Sequence, residues 1–219
     1  MSVISGIVPR SRTPGRFDLI VDGEPYALLS VDAIAALGLS IGRSIAGLEE
    51  RIMRAAAELH VHDRALRIIA ARARSKAELR RALVRKGEEP ELVDRAIARL
   101  SAQGFLDDAA FAQSFTRHKV LGAGQSRRRV QAELARKGVS REVTDAAIDV
   151  VFEEEQVDQR AIVEGVARRK LRSLTRLEPA VRRRRLYGFL ARRGYDGDDI
   201  RRTMEAVGEE LMDLEGTEE

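Results

Sequence analysis

Three segments of the chain carry the same spacing of apolar positions around a glycine, at Gly87, Gly138 and Gly194. Apolar residues lie eight and four positions before each glycine and ten and thirteen positions after it. They are Leu79, Leu83, Ile97 and Leu100 in the first copy, Val130, Leu134, Ile148 and Val151 in the second, and Leu186, Leu190, Met204 and Val207 in the third. Offsets of three and four predict one apolar helix face on each side of a turn. The sequence therefore predicts a helical unit that occurs three times.

Helix-boundary signals recur at matching places in these units. A capping box beginning at Ser75 predicts the start of a second helix, and Gly87 supplies the left-handed residue that ends it. Pro90 suits the first turn of a third helix, because its missing amide hydrogen would have no partner there. Ser140 and Asp196 are good N-caps near the other two glycines. Each unit is therefore predicted to contain three helices.

The N-terminal segment predicts β structure instead. Apolar residues alternate from Phe17 to Val21, and Asp22-Gly23 is a hairpin signal before a returning strand over residues 26–29. A short helix capped at Ser30 or Asp32 and a longer helix over residues 47–59 are expected next.

The predicted fold is mainly α, with three tandem three-helix repeats in an elongated array after a small segment that contains a β-hairpin. The predicted divisions are a hairpin and helix segment over residues 1–60, repeats over 61–106, 107–157 and 158–214, and an acidic tail over 215–219.

Composition narrows the class of protein. The chain has no Cys, which excludes disulfides and thiolate metal sites, and no apolar run of membrane-spanning length, so a soluble cytoplasmic protein is expected. Net charge is only +4, but residues 158–202 carry 14 basic and 6 acidic side chains, whereas residues 203–219 carry 7 acidic ones and no basic one. The charge is therefore polarised along the chain.

Basic residues recur around the second helix of every predicted repeat and form the candidate binding site. They are Arg72, Arg74, Arg80, Arg81, Arg85 and Lys86 in the first repeat, Arg127, Arg128, Arg129, Arg136 and Lys137 in the second, and Arg182, Arg183, Arg184, Arg185, Arg192 and Arg193 in the third. Repetition at one structural location predicts a basic stripe suited to a phosphate backbone or an acidic protein groove.

Two other interpretations compete for these residues. They could form weak surface ion pairs with acidic residues of the third helices, which are Glu91, Asp94, Asp145, Asp149, Asp198 and Asp199. A three-helix unit is also typical of helix-turn-helix proteins that read DNA bases, but acidic residues on the last helix would be repelled by phosphates. Sequence-specific reading of bases is therefore not expected.

The sequence gives little support for a metal site, a cofactor site or catalysis. His60 and His62 have no obvious third metal ligand, and Asp107 and Asp108 are explained by a helix N-terminus. No phosphate-binding loop is present, and no cofactor, metal or catalytic residue is expected; a hydrolase using Asp107 or His118 is a remote alternative. Three aromatic residues could stack on bases, although core or turn packing is favoured for them: Tyr187, Phe189 and Tyr195.

Two phrases give the sequence a resemblance to a known family. The segment Arg72-Ala73-Arg74-Ser75-Lys76-Ala77-Glu78-Leu79 and the segment Gly104-Phe105-Leu106-Asp107-Asp108 together resemble the RecX family, bacterial regulators of the RecA recombinase. Further similarity lies at Gly122 to Gln125 and at Glu133 to Gly138. The resemblance is stronger over residues 62–152 than over residues 158–214. It implies tandem three-helix units, in some members with strands at the N-terminus.

The resemblance also implies a function and partners. A monomeric protein would bind RecA along the groove of the RecA–DNA filament, contacting RecA, single-stranded DNA or both. It would limit filament growth, ATP hydrolysis, strand exchange and coprotease activity, and so act in DNA repair, recombination and the SOS response without catalysis of its own. The rival hypothesis is an independent, sequence-nonspecific DNA-binding protein with no recombinase partner.

Overall fold

A computed structural model describes residues 2–208, so the predicted acidic tail over residues 215–219 lies outside the described residues. The chain divides into two compact units, Met1–Leu106 and Asp107–Glu219. The described part is mostly helical, with one small N-terminal sheet, as the sequence predicts.

The first unit contains the sheet and four helices. Its elements are β1 (Ile4–Pro9), β2 (Arg16–Val21), β3 (Glu24–Ser30), α1 (Val31–Leu37), α2 (Glu49–Ala71), α3 (Lys76–Val84) and α4 (Pro90–Ala102). The strands pair antiparallel in the order β1-β2-β3. Asp22 and Gly23 form the turn between β2 and β3 with φ of 50° and 87°. The predicted hairpin is confirmed, and β1 extends it into a three-stranded sheet.

Helix α2 differs from the sequence expectation, which placed one helix over residues 47–59 and a separate first helix in the repeat. The structure has a single helix over Glu49–Ala71. No glycine or proline interrupts this stretch, so nothing in the backbone ends the helix near residue 60. Its first half contributes Ile52 to a core with the sheet, and its second half contributes Val61 and Ala65 to a core with α3 and α4.

The second unit is entirely helical over its described residues. Its elements are α5 (Asp108–Arg117), a one-turn π-helix (His118–Gly122), α6 (Arg127–Lys137), α7 (Arg141–Glu154), α8 (Gln159–Arg172), α9 (Pro179–Arg192) and α10 (Gly197–Ala206). Helices α5 to α7 pack around one apolar cluster, and α8 to α10 pack around another.

The repeated pattern forms the cores as predicted. Leu83, Leu134 and Leu190 are all 0% exposed. The three repeat glycines have φ of 85°, 82° and 88°, the left-handed conformation expected at the end of each second helix. The hydroxyl groups of Ser75 and Ser140 and the carboxylate of Asp196 accept backbone amides at helix starts.

The third repeat departs from the other two at the start of its second helix. Helices α3 and α6 begin eleven residues before their glycine, after Ser75 and Ser126, whereas α9 begins fifteen residues before Gly194. Arg182 therefore occupies the place of the capping serines, within an extra helical turn. It is only 3% exposed, and its guanidinium donates to the Leu177 carbonyl.

Candidate basic binding site

The candidate basic residues lie mainly on the second helix of each repeat, and most of them fall into three kinds of environment. Arg80 and Arg81 lie on α3, and Arg85 and Lys86 follow its end; Arg72 and Arg74 lie between α2 and α3. The candidates of the second repeat lie on α6, and those of the third lie on α9 or directly after it.

The first environment is exposed and carries no ion pair. Among the described residues, this holds for seven candidates, which we call the unpaired basic set: Arg85, Lys86, Arg128, Arg183, Arg184, Arg185 and Arg192. The guanidinium or ammonium group of each residue in the set is exposed and can therefore bind an external anion. Arg85 and Arg192 occupy the same position in their repeats, two residues before the glycine.

The second environment is an ion pair with an acidic neighbour. Arg80 on α3 forms two hydrogen bonds with Asp94 on α4, at 2.7 and 3.1 Å. These bonds raise the pKa of Arg80 and lower the pKa of Asp94. Arg127 on α6 lies 2.7 Å from Asp149 on α7. The alternative interpretation, ion pairing between second and third helices, is therefore correct for these two arginines.

Two further candidates pair with glutamates near their own helix. Arg129 lies 2.8 Å from Glu133, one turn along α6, and Arg72 lies 3.6 Å from Glu78. The arginines of these pairs are 39% and 52% exposed, but their glutamates are only 15% and 14% exposed. The two arginines are therefore less available to an external anion than the unpaired basic set.

The third environment is the joint between the second and third repeats, where Arg193 acts structurally. Its Nε donates to the Ala123 carbonyl at 3.1 Å, and its own carbonyl accepts the Ser126 amide at 3.0 Å. Burial lowers the pKa of Arg193, and the neighbouring positive charges of Arg169 and Arg192 lower it further. With Arg182, which is buried, Arg193 departs from the predicted exposed stripe.

Aromatic rings support several of the cations. The Arg193 guanidinium lies 3.8 Å from the centroid of the Phe189 ring, and the Lys170 ammonium lies 5.5 Å from it. The Lys137 ammonium lies 5.7 and 5.3 Å from the rings of Phe111 and Phe115. Such contacts fix the direction of a cation and are worth about 0.5–2 kcal/mol each.

The other two aromatic candidates have opposite environments. Tyr195 is buried, and its hydroxyl donates to the Gly124 carbonyl at 3.1 Å, as the expected turn packing requires. Tyr187 is 50% exposed, so core packing is wrong for this residue.

Sequence reasoning did not single out a basic group on α8 and the segment after it. Arg169, Lys170, Arg172 and Arg176 belong to this group, and Arg169 lies close enough to Arg193 to lower its pKa. The signal was available in the charge excess over residues 158–202. These residues lie outside the second helices, so the pattern repeated around the glycines does not mark them.

The structure also shows where the three histidines and Asp107 lie. His60 and His62 lie two residues apart on α2, and His118 is exposed in the π-helical turn. The Asp107 carboxylate caps α5 by accepting hydrogen bonds from the amides of Ala109 and Ala110.

Within residues 2–208, no group of three or more His, Cys, Asp and Glu side chains is arranged to hold a metal ion. No helix in the same range has the length and apolarity needed to cross a membrane.

These elements define the class of protein: tandem three-helix domains with arginine-rich second helices, joined at the N-terminus to a small antiparallel sheet. Family models for the first, second and third three-helix domains of RecX match residues 62–100, 107–148 and 158–204. The chain belongs to the RecX family.

Curated relatives agree with this assignment. The Regulatory protein RecX of Chlorobaculum tepidum is 36% identical over 149 residues, which cover 68% of this chain and 89% of the relative. The Regulatory protein RecX of Amycolatopsis mediterranei is 40% identical over 129 residues, covering 58% of this chain and 71% of the relative. The relative of the same name from Mycobacterium avium is 40% identical, covering 59% of this chain and 74% of its own length.

Solved structures share the fold at low sequence identity. A crystal structure of regulatory protein RecX aligns over 94% of this chain and all of its own length, with a TM-score of 0.74 and 18% identity. The crystal structure of RecX from Lactobacillus salivarius aligns over 69% of this chain and 97% of its own, with a TM-score of 0.56 and 14% identity.

Proposed function

We propose that this protein is a noncatalytic regulator of the RecA recombinase that binds the RecA–DNA filament through the unpaired basic set. On binding it limits filament growth, and with it ATP hydrolysis, strand exchange and coprotease activity. Membership of the RecX family supports the partner, because that family regulates RecA. The observation that carries the mode of binding is the recurrence of exposed, unpaired cations in all three repeats.

Charge and repetition fit a long anionic partner. A single exposed arginine gains little from one phosphate in water, whereas several on one chain act together and raise the effective affinity. The paired residues Arg80 and Arg127 already have carboxylate partners, so they contribute less net attraction than Arg85 or Arg192. The acidic third helices also oppose insertion into the major groove, and this supports binding without base reading.

The proposal is tested by charge reversal in one repeat. Arg85→Glu with Lys86→Glu should weaken binding to a RecA–single-stranded DNA filament by tenfold or more, roughly the loss of two charge-assisted contacts. The variant should also lose inhibition of the DNA-dependent ATPase of RecA. Binding is measured by fluorescence anisotropy over a salt series, because fewer phosphate contacts reduce the salt dependence.

A matched control carries the same change in net charge. Arg51 on α2 and Arg141 on α7 are exposed and lie outside the candidate set. Arg51→Glu with Arg141→Glu should retain filament binding and ATPase inhibition. Equal loss in both double variants would mean that overall charge governs binding, and the basic set would then have no specific role.

A pull-down separates the proposal from the rival DNA-binding function. The wild-type chain is added to immobilised single-stranded DNA with and without RecA. Retention that requires RecA supports a filament regulator. Equal retention on bare DNA, with no effect on the RecA ATPase, supports the rival.

A further inference from the structure

A cleft of about 640 Å³ opens in the first unit, between the connection from β1 to β2 and helix α2. It lies outside the arginine-rich second helices and shares no residue with the unpaired basic set. The titratable residues in its lining are Arg10, Arg12, Arg16, His60, Asp63 and Arg67. The cleft is within the size range of small-molecule sites.

The connection that forms one wall has a defined shape. The Arg10 amide donates to the Arg16 carbonyl at 2.9 Å, closing the loop at its base, and the Arg16 amide donates to the Thr13 carbonyl at 3.2 Å. Gly15 allows the chain to turn back with φ of 75°. Arg12 therefore stands at the tip of a closed loop and not on a free strand.

Two of the four arginines are already neutralised. Arg10 lies 2.9 Å from Asp18, and Arg16 forms hydrogen bonds of 3.1 and 2.6 Å with the two carboxylate oxygens of Asp63. Burial opposes ionisation of Asp63, but the bonds from Arg16 hold its pKa below the ordinary value. The Asp63 carboxylate is thus committed to Arg16, which screens its charge from a ligand in the cleft.

The other two arginines of the cleft, Arg12 and Arg67, are available to bind a ligand. Over residues 2–208, Arg12 and Arg67 have no carboxylate within ion-pair distance. The Arg67 Nε donates to the Asp63 backbone carbonyl at 3.3 Å, which orients its guanidinium at the edge of the cleft. The His60 ring also lines the cleft, and its Nε2 lies 3.7 Å from the Glu88 carboxylate.

Apart from Thr13, the rest of the lining is apolar. Leu28 of β3, Ala56 and Leu66 of α2, and Pro14 of the connecting loop contribute this apolar lining. Small and branched aliphatic side chains accept a flat organic ring, while guanidinium groups bind phosphate through paired N–H donors. The combination favours a ligand with an anionic end and a flat, weakly polar body.

We propose that this cleft binds a phosphate-bearing nucleotide, with the phosphate on Arg12 and Arg67 and the base or sugar against Leu28, Ala56 and Leu66. The nucleotide is either free in solution or the exposed end or turn of a nucleic-acid strand, since both present the same chemistry. The first unit would thereby contact a nucleotide at a site that contains none of the arginine-rich second helices. This inference does not depend on RecA.

Direct binding to the full-length chain tests the site. The probes are a fluorescent adenosine triphosphate and a short fluorescein-labelled oligo-dT strand. Arg12→Glu with Arg67→Glu should weaken the affinity for the probe that occupies the cleft by tenfold or more, because two charge-assisted contacts are reversed. The Arg51→Glu, Arg141→Glu variant is the matched control, since it changes net charge equally and Arg51 lies on the same helix α2 outside the cleft.

The outcomes are distinct. Loss of mononucleotide affinity in the cleft variant alone shows a free-nucleotide site. If only the strand is affected, with a salt slope lower by about 0.7 for each lost contact, the phosphate belongs to a strand. If neither probe distinguishes the cleft variant from the control, the site does not exist. Arg12→Gln with Arg67→Gln repeats the comparison without adding acid beside Asp63, so a folding defect in the first variant leaves the test intact.

Discussion

Arginine side chains in this protein differ by what surrounds the guanidinium. Arg85 and Arg192 are exposed, whereas Arg80 forms an ion pair with the Asp94 carboxylate. The Arg193 guanidinium lies over the Phe189 ring and donates to the Ala123 carbonyl. A lysine could replace the charge of the exposed residues, but it could not reproduce the planar stacking and the directed Nε bond of Arg193. Residues that look equivalent in the repeats therefore tolerate different substitutions.

Tyr195 offers a measurement of the joint between the second and third repeats. Tyr195→Phe removes the hydroxyl that donates to the Gly124 carbonyl and leaves a buried acceptor unsatisfied, so we expect a loss of about 1–2 kcal/mol in the free energy of unfolding. Urea denaturation followed by circular dichroism measures the change. Tyr187→Phe makes the same chemical change at a half-exposed site and should leave stability within about 0.5 kcal/mol of wild type.

The same hydroxyl gives the effect a pH dependence. Burial raises the pKa of Tyr195 from 10.0 to about 12 in the folded chain. Its contribution to stability is therefore complete below pH 10 and is lost as the pH rises through 12, because the unfolded tyrosine ionises first. Wild type should lose more stability than Tyr195→Phe over this window. Parallel curves for the two proteins would contradict the burial of an un-ionised phenol.

At the scale of elements, hydrogen bonds from both backbone and side-chain donors hold the second and third repeats together. The loop before α6 and the turn after α9 exchange hydrogen bonds through Ser126 and Arg193, and Gly194 lies directly against Arg129. The Ser126 bond uses main-chain atoms only, whereas the Arg193 Nε and the Tyr195 hydroxyl are side-chain donors. The joint is thus specified by these two side chains and by the absence of a side chain at Gly194.

The equivalent glycines of two repeats give a matched pair of substitutions. Gly194 and Gly87 have nearly equal φ, 88° and 85°, but a Cβ at Gly194 would lie 2.5 Å from the Arg129 Cβ, whereas nothing lies within 4 Å at Gly87. Gly87→Ala should cost about 1–2 kcal/mol from backbone strain alone. Gly194→Ala should cost about 1–3 kcal/mol more from the clash, as measured by chemical denaturation. Equal losses would show that the two repeats do not pack as described.

The elements also show which parts of the structure a sequence can predict. Ser75, Gly87 and Pro90 act through local backbone chemistry, so their pattern predicts helix ends correctly. The contacts of Gly194 lie 65 and 68 residues away in sequence, at Arg129 and Ser126, and no local pattern encodes them. The burial of Arg182 follows from the extra turn at the start of α9, which the apolar spacing around Gly194 does not predict.

The candidate site was predicted less completely than the fold. The position of an arginine in the repeat predicts that it lies on a helix. It does not predict whether a carboxylate of a neighbouring helix faces it. Asp94 and Asp149 were recognised as possible partners, and the structure assigns them to Arg80 and Arg127. The cleft beside α2 was not foreseen, because Arg12 and Arg67 come from a loop and a helix with no shared periodicity.

At the scale of the whole molecule, the first unit has two apolar cores of its own. One lies between the sheet, α1 and the first half of α2, and the other lies between the second half of α2, α3 and α4. Each cluster draws its residues from positions before 107, so the unit contains the contacts that its folding requires.

A fragment of residues 1–106 should therefore fold by itself. We expect a helical circular dichroism spectrum and one cooperative thermal transition, since α2 contributes to both cores and couples them. Dispersed amide resonances in a nitrogen–proton correlation spectrum would confirm a packed structure. A disordered spectrum would show that the second unit is needed to complete the fold of the first.

Helix α2 also affects how deletion experiments on this protein should be read. A shortened chain that starts at residue 62, where the match to the first three-helix domain begins, would cut this helix in its middle. It would remove the nucleotide cleft and also expose the side of the first repeat beside Val61. A defect in such a deletion mutant would combine two causes, and point substitutions at Arg12 and Arg67 are the cleaner genetic tool.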